Sequence, residues 1–381
     1  MNVRTAKKPE ARFSVGYHSS LGMQMFGNDN LYPQHLLAIT SASGTAELCL
    51  GRYAHFIEGN GFADEATADM EVNRTGGTMD DLLRVCAKDL ARFGGFALHA
   101  NFDVFGDIVE VQHIPFENCR LAEADKDGVV SEVLVHPDWS GNLHRGGERV
   151  RVDEAQVERF AVWNPIREVV MAQIEACGGI ENYKGQVMYV SNTGGLSYPT
   201  PIYDAIVTEM STDEGLGNIK NRNARNNFLT SCMMVARKSM YVADDGREEE
   251  REMISPEDLK AFQGDTNVGK ILYVEVENDE DEPKVVELPV KNYDKDFTVT
   301  EDSTIERIYA QFHQELFHAI RIGKLGFSGQ VMKEAYEYYA GMVTTEQRMI
   351  ERALRKIFGK EINLAIEPIK YISANGTSTN I

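Results

Sequence analysis

Apolar residues in the N-terminal third of the chain switch between helical and extended spacing. Pro33 suits the first turn of a helix that carries Leu36, Leu37, Ile39, Ala46, Leu48, Leu50 and Ala54, with Gly59 and Gly61 as its stop. Thr78 is a good N-cap for a second helix holding Leu82, Leu83, Val85, Cys86, Leu90 and Phe93, which the Gly94-Gly95 pair ends. In FALHANFDVFGDIVEVQHI, Gly106 and Asp107 separate two alternating runs, the pattern of a β-hairpin. Extended pieces follow at Val129 to His136 and Gln186 to Ser191, with a turn at Gly146-Gly147 between them. Residues 20 to 195 therefore predict one α+β module.

From Thr200 the pattern changes. Pro201 sits in an N1-like place, and Ile202, Ala205, Ile206, Met210, Leu216 and Ile219 keep helical spacing. Beyond them come Asn218, Lys220, Asn221, Arg222, Asn223, Arg225, Asn226 and Asn227, a stretch of amides and bases that buries little within its own monomer. It is either an ordinary solvated helix or one packed by polar contacts in an assembly. Residues 237 to 296 carry 18 acids against nine bases, a charge of −9. Within them, Ser255-Pro256-Glu257-Asp258 reads as a helix start and Lys270 to Glu277 as a strand, so a small α/β lobe is expected.

Residues 302 to 322 place Ile305, Ile308, Tyr309, Phe312, Leu316, Ala319 and Ile320 on one helical face, with Asp302 or Ser303 as N-cap. Gly323, Gly326 and Gly329 then break the helix and leave a loop carrying Arg321 and Lys324. A further long helical pattern runs from Gln330 to Phe358. Arg352, Arg355 and Lys356 suit its C-terminal dipole, and Gly359 its C-cap.

Composition narrows the function. The 381 residues carry a net charge of −20, which speaks against a general basic surface for nucleic acid or anionic lipid and confines any DNA contact to local sites. Hydrophobic residues at 43% and charged residues at 26% are ordinary for a globular chain of two or three modules. Five cysteines, Cys49, Cys86, Cys119, Cys177 and Cys232, show no C-x-x-C or zinc spacing and are expected as buried thiols in a cytoplasm. The N-terminus lacks an apolar signal core, and no window matches a spanning helix.

Catalytic signatures are scarce. His313 and His318 are five apart, whereas a zinc helix needs histidines four apart on one face. Neither Gly269-Lys270 nor the loop at Gly323 to Gly329 is a P-loop, and no G-x-S-x-G elbow is present. No cofactor or metal is expected. The enzymatic alternative is a soluble α+β metal-dependent hydrolase centred on His313, Glu315 and His318.

Several motifs in order carry a resemblance. GNDNLYPQHLLAITSASGTAELCLGRYAHFIEGNGF (Gly27 to Phe62) resembles the opening of tailed-phage portal proteins, in which N-x-Y-P precedes a helix closed by I-x-G-x-G. TMDDLLRVCAKDLARFGGFALHANFD resembles their helix, glycine break and strand, followed here by the hairpin and HIPFENCRL. GGLSYPTPIYDAIVTEM looks like their entry into a stem helix, and the segment from Ile305 to Phe358 like a second stem helix, tunnel loop and long wing helix. The likeness spans most of residues 27 to 358.

The resemblance implies an α+β portal-type subunit without enzymatic activity, in a ring of twelve at one capsid vertex, through which DNA is packaged and ejected. It implies a wing at residues 1–199, a first stem helix at 200–231, a clip at 232–300 and a second stem helix at 301–322. A tunnel loop follows at 323–329, then a long wing helix at 330–358 and a short tail or reduced crown at 359–381. Implied partners are other copies of the chain, the major capsid protein, the terminase large subunit, a head-tail connector and double-stranded DNA, with no membrane. The implied location is the virion, after assembly in a bacterial cytoplasm. Lys220, Arg222, Arg225, Arg321 and Lys324 are the candidate DNA-channel bases, each of which an ordinary solvated charge also explains.

Overall fold

The computed structural model describes residues 16–142, 144–145, 148–149, 152–226, 232–237, 239–242, 248–251, 271–276, 293–326 and 328–371. At 144–145, 148–149, 222–226, 232–237, 239–242, 248–251, 271–276 and 293–297 only backbone is described. The architecture is α+β, as the sequence predicts. The chain forms two compact units, residues 1–211 with 305–381, and residues 212–304.

The larger unit opens with short strands β1 (Tyr17–His18) and β2 (Met23–Gln24), then helices α1 (Tyr32–Ala42), α2 (Gly44–Glu58), α3 (Glu65–Ala68) and α4 (Met79–Phe93). Strands β3 (Gly95–Phe102), β4 (Ile108–Ile114), β5 (Cys119–Leu121) and β6 (Glu132–Val135) follow. After the short β7 (His144–Arg145) and β8 (Glu148–Arg149) come β9 (Glu158–Val162), α5 (Arg167–Ala176) and β10 (Gln186–Ser191). Six of these strands form one mixed sheet in the order β4-β3-β10-β9-β6-β5. β10 is antiparallel to β3 and parallel to β9, and its side chains are buried almost throughout, the continuous pattern of a central strand.

Helix α4 lies between the helical layer and the sheet and obeys its sequence signals. Thr78 forms a reciprocal capping box with Asp81, and Gly94 ends the helix in the left-handed region at φ 78°. A Cβ at Gly94 would stand 2.6 Å from the Asn192 amide, so the glycine permits a close approach as well as the turn. Leu82, Leu83, Cys86, Ala87, Leu90 and Ala91 bury one face. The hairpin expected around Gly106 is β3 and β4, paired from Ala97↔Ile114 to Asn101↔Glu110.

Each of the three long helical patterns is interrupted. The run after Pro33 divides at Ser43, whose side chain accepts from the Ala46 N–H and caps α2 afresh. The run after residue 302 begins earlier, as α7 (Tyr293–Gln311), and stops before α8 (Glu315–Arg321), with His313 left-handed at φ 55°. The final run is two helices, α9 (Gly329–Met342) and α10 (Thr344–Phe358), separated by the buried Val343. At that break the Thr344 hydroxyl donates to the carbonyls of Ala340 and Gly341 and competes with the helical backbone bonds.

Residues beyond Gly359 return to the larger unit. Asn60 and Ala63 donate to the carbonyls of Glu367 and Ala365, Glu367 donates to Gly61, and Leu364, Ile366 and Ile369 are buried. Cys49, Cys86 and Cys119 are buried as expected, but Cys177, just past α5, is exposed because that helix end faces solvent.

The smaller unit contains most of α6 (Val207–Asn226), then β11 (Cys232–Arg237), β12 (Ser239–Val242), β13 (Glu248–Arg251) and β14 (Ile271–Val276), and the start of α7. The predicted strand at Lys270 to Glu277 is β14, which pairs in parallel with β11. Parallel pairing of β11 and β14 makes them neighbours across the acidic stretch. The expected turn at Gly146-Gly147 and the helix start at Ser255 to Asp258 lie outside the described residues.

Candidate functional site

The loop between α8 and α9 and the corner that holds it are built from residues that disfavour a continuous helix. Gly323, at φ 74°, closes α8 with its N–H on the Ile320 carbonyl, and the Leu325 N–H reaches back to Ala319. Ser328 then caps α9 by accepting from the Val331 N–H. Lys324 is exposed on this loop. Arg321 turns back, donating to the Tyr309 hydroxyl at 3.0 Å, while the Tyr309 ring packs against His318 at 4.9 Å.

Beneath the loop, the corner between α7 and α8 is fixed by one buried amide. Gln314 has no exposed surface. Its Nε2 donates to the Cys49 carbonyl and to the Tyr339 hydroxyl, both at 2.8 Å, and its Oε1 accepts from Arg52 at 2.8 Å. The Tyr339 hydroxyl in turn donates to the Phe312 carbonyl at 3.0 Å. Residues of α2, α9 and the corner are thereby joined in one satisfied network. Burial raises the Tyr339 pKa above its ordinary value, so the hydroxyl stays protonated as the network requires. Arg52 also stacks over the Phe317 ring at 4.5 Å.

The helices α6 and α7 are tied by ion pairs in each unit. In the larger unit Arg307 meets Glu209 at 3.2 Å, and in the smaller unit Lys220 meets Glu301. Of the five bases singled out from the sequence, Lys220 and Arg321 thus have intramolecular partners. Lys324 lies on the loop surface, and the side chains of Arg222 and Arg225 lie outside the described residues. Arg321 and Lys324 lie three residues apart, at the end of α8 and on the loop.

His313, Glu315 and His318 serve different ends. His313 occupies the corner and is exposed, Glu315 opens α8 at the surface, and His318 packs against Tyr309. No group of three or more His, Cys, Asp or Glu placed to hold a metal ion occurs among the described residues.

Two features escape sequence reasoning. Arg120, in the segment HIPFENCRL, is fully buried. Its Nε donates to Asn30 Oδ1 at 2.7 Å, its Nη1 to the carbonyls of Glu117 and Cys119, and its Nη2 to the Asn30 carbonyl and Gln34. The guanidinium also faces Trp139 and Phe26 at 5.1 and 5.7 Å. Burial lowers its pKa to about 10, which still leaves it charged at neutral pH. The second feature is a cleft of about 500 Å³ beside β4, α5 and the end of α10, lined in part by Val72, Glu110, Trp163 and Lys356. No period or motif marks it, because its walls come from segments far apart in sequence.

No protein-family model and no curated protein matches the chain. Solved structures that overlap it include three chains of gene transfer agent particles. One is a chain of the neck of a native GTA particle computed with C12 symmetry, at 12% identity, covering 85% of this chain and 81% of that one, with a TM-score of 0.48. Another belongs to the virion of a native gene transfer agent particle, at 13% identity, covering 87% and 83%, with a TM-score of 0.44. The third is from the neck of an empty GTA particle computed with C6 symmetry, at 12% identity, covering 90% and 86%, with a TM-score of 0.47. All three scores lie below one half, so the overlap by itself establishes neither fold nor role.

Proposed function

We propose that this chain is the subunit of a phage-type portal, a ring of twelve at one capsid vertex through which double-stranded DNA enters and leaves. On this reading it is a structural protein of the virion rather than an enzyme. It contacts its own copies, the major capsid protein, the terminase large subunit and a head-tail connector.

The observation that carries the reading is the path of the chain. It leaves an α+β unit along α6, builds a second compact unit, and re-enters along α7 before the loop and α9. A helix, an inserted lobe, a returning helix and a loop is the order the motif resemblance implies for stem, clip, stem and tunnel loop. The polar content of α6 supports it further, since an amide-rich helix suits polar contacts between copies in an assembly. The acidic charge suits a conduit in which DNA slides without being held.

The test is the mass of the purified chain in solution with negative-stain images of the same sample. A hollow ring near twelve times 42.7 kDa is the expected result. A monomer that stays a monomer in the presence of capsid protein, and shows no ring in images, overturns the reading.

A further inference from the structure

Helix α10 exposes only five residues, Thr345, Arg348, Arg352, Arg355 and Lys356. Four of the five are cations, spaced i, i+4, i+7 and i+8, so they share one face. The two acids of the same helix do not neutralise them. Glu346 accepts from the Tyr53 hydroxyl at 2.9 Å, and Glu351 accepts from the Ile366 N–H at 3.0 Å. Among the described residues none of the four cations forms an ion pair. Interaction with the helix dipole accounts for Arg355 and Lys356 in the last turn, but falls off before Arg352 and Arg348. In a chain of charge −20, a bare cationic face calls for an anionic partner.

We propose that the Arg348, Arg352, Arg355 and Lys356 face of α10 binds the phosphate backbone of double-stranded DNA. From Arg348 to Lys356 the helix rises about 12 Å. Each DNA strand advances one phosphate about every 3.4 Å of duplex axis, so a cationic face of this length spans a few phosphates of the backbone. A protein partner fits less well. Protein interfaces centre on apolar or aromatic residues with charge at the rim, and this face exposes no apolar side chain. Three of the four cations are arginine, whose fork grips phosphate in two-point fashion. Contact is to backbone alone, so it is independent of base sequence. The inference stands apart from the ring reading, because it requires neither assembly nor a channel.

The experiment titrates the full chain into a fluorescent 20-base-pair duplex at roughly 50 to 200 mM salt, the range over which phosphate contacts lose most affinity, and follows anisotropy. Binding is expected to weaken steeply with salt and to be indifferent to sequence. The Arg348→Glu/Arg352→Glu variant should lose at least about tenfold in affinity and reduce the log–log salt slope by about 2. Lys126→Glu, at an exposed position elsewhere, should leave both near wild type. Matching circular dichroism and thermal midpoints confirm that the variants fold. Absence of duplex binding by the wild type, or binding that the double reversal leaves unchanged, overturns the proposal. Binding of polyglutamate without duplex overturns it too, by assigning the face to an acidic polypeptide. A double variant with altered oligomeric mass and unaltered DNA binding overturns it in favour of a contact between copies.

Discussion

Arg120 shows how much a single side chain can organise. A guanidinium has five N–H donors in a fixed plane, and here each nitrogen finds oxygen on Asn30, Gln34, Glu117 or Cys119. The position of Asn30 follows from the same demand, since its left-handed backbone at φ 64° lets Oδ1 serve both Arg120 and the Phe26 N–H. Lysine cannot reproduce that fork. Arg120→Lys is expected to cost about 2 kcal/mol or more by leaving buried carbonyls unpaired, read as a lower urea midpoint at unchanged slope. Glu110 makes the opposite case, a buried carboxylate on β4 surrounded by Arg74, Asn101 and Gln112. The bond from Arg74 is the largest influence, and the pKa falls to about 2 against 4.5 for the free side chain. A depressed carboxylate stabilises the fold above its unfolded pKa, and that contribution is lost as pH drops through the folded value. The wild type should therefore lose stability between about pH 4.5 and pH 2 more steeply than Glu110→Gln. Equal slopes for the two proteins in acid denaturation would refute this assignment.

At the scale of elements, the corner between α7 and α8 depends on Gln314 as a joint. Replacing it by leucine keeps the volume but removes the acceptor of the Arg52 guanidinium and the donor to the Cys49 carbonyl and the Tyr339 hydroxyl. Gln314→Leu is expected to destabilise by about 2–3 kcal/mol and to speed hydrogen exchange in α8 ahead of α4. Uniform exchange across both helices would show that the corner is not a separate weak point. The same joint shows where sequence reading stops. Helix existence was legible at Pro33, Thr78 and Gly94, because capping and left-handed glycine act within a few residues. The breaks at Ser43, His313 and Val343 were not legible from apolar spacing, which continues across all three. What decides them is a local cap at Ser43, a buried amide whose partners lie on α2 and α9, and a threonine hydroxyl turned back onto the preceding turn. β5, β9 and α5 were missed for a similar reason, being short segments whose strength comes from neighbours in the sheet or the small core. At the candidate site, the glycine loop and its two bases were visible, whereas the turn of Arg321 onto Tyr309 and the pairing of Lys220 with Glu301 needed coordinates.

For the whole molecule, the governing quantity is a charge of −20 and its uneven placement. Residues 237 to 296 alone hold −9, while α10 presents its four cations bare. If copies associate through charge-balanced, amide-rich surfaces such as α6, which carries three acids and three bases, the net charge of the chain opposes assembly, and added salt relieves the repulsion. Between low salt and about 0.5 M, where the Debye length shrinks to a few ångströms, the assembled fraction should then rise. If instead the cationic face of α10 meets an acidic face of a neighbouring copy, salt screens an attraction and the assembled fraction falls. Mass photometry of one preparation across that salt range separates the two. Growth of the oligomer with salt is the outcome expected here, because with α10 assigned to DNA and α6 balanced in charge, the acidic excess of the chain is left to repel between copies. Dissolution of the oligomer by salt would shift α10 from the DNA-binding surface to the ring interface, and would predict that Arg352→Glu alone lowers the assembled mass.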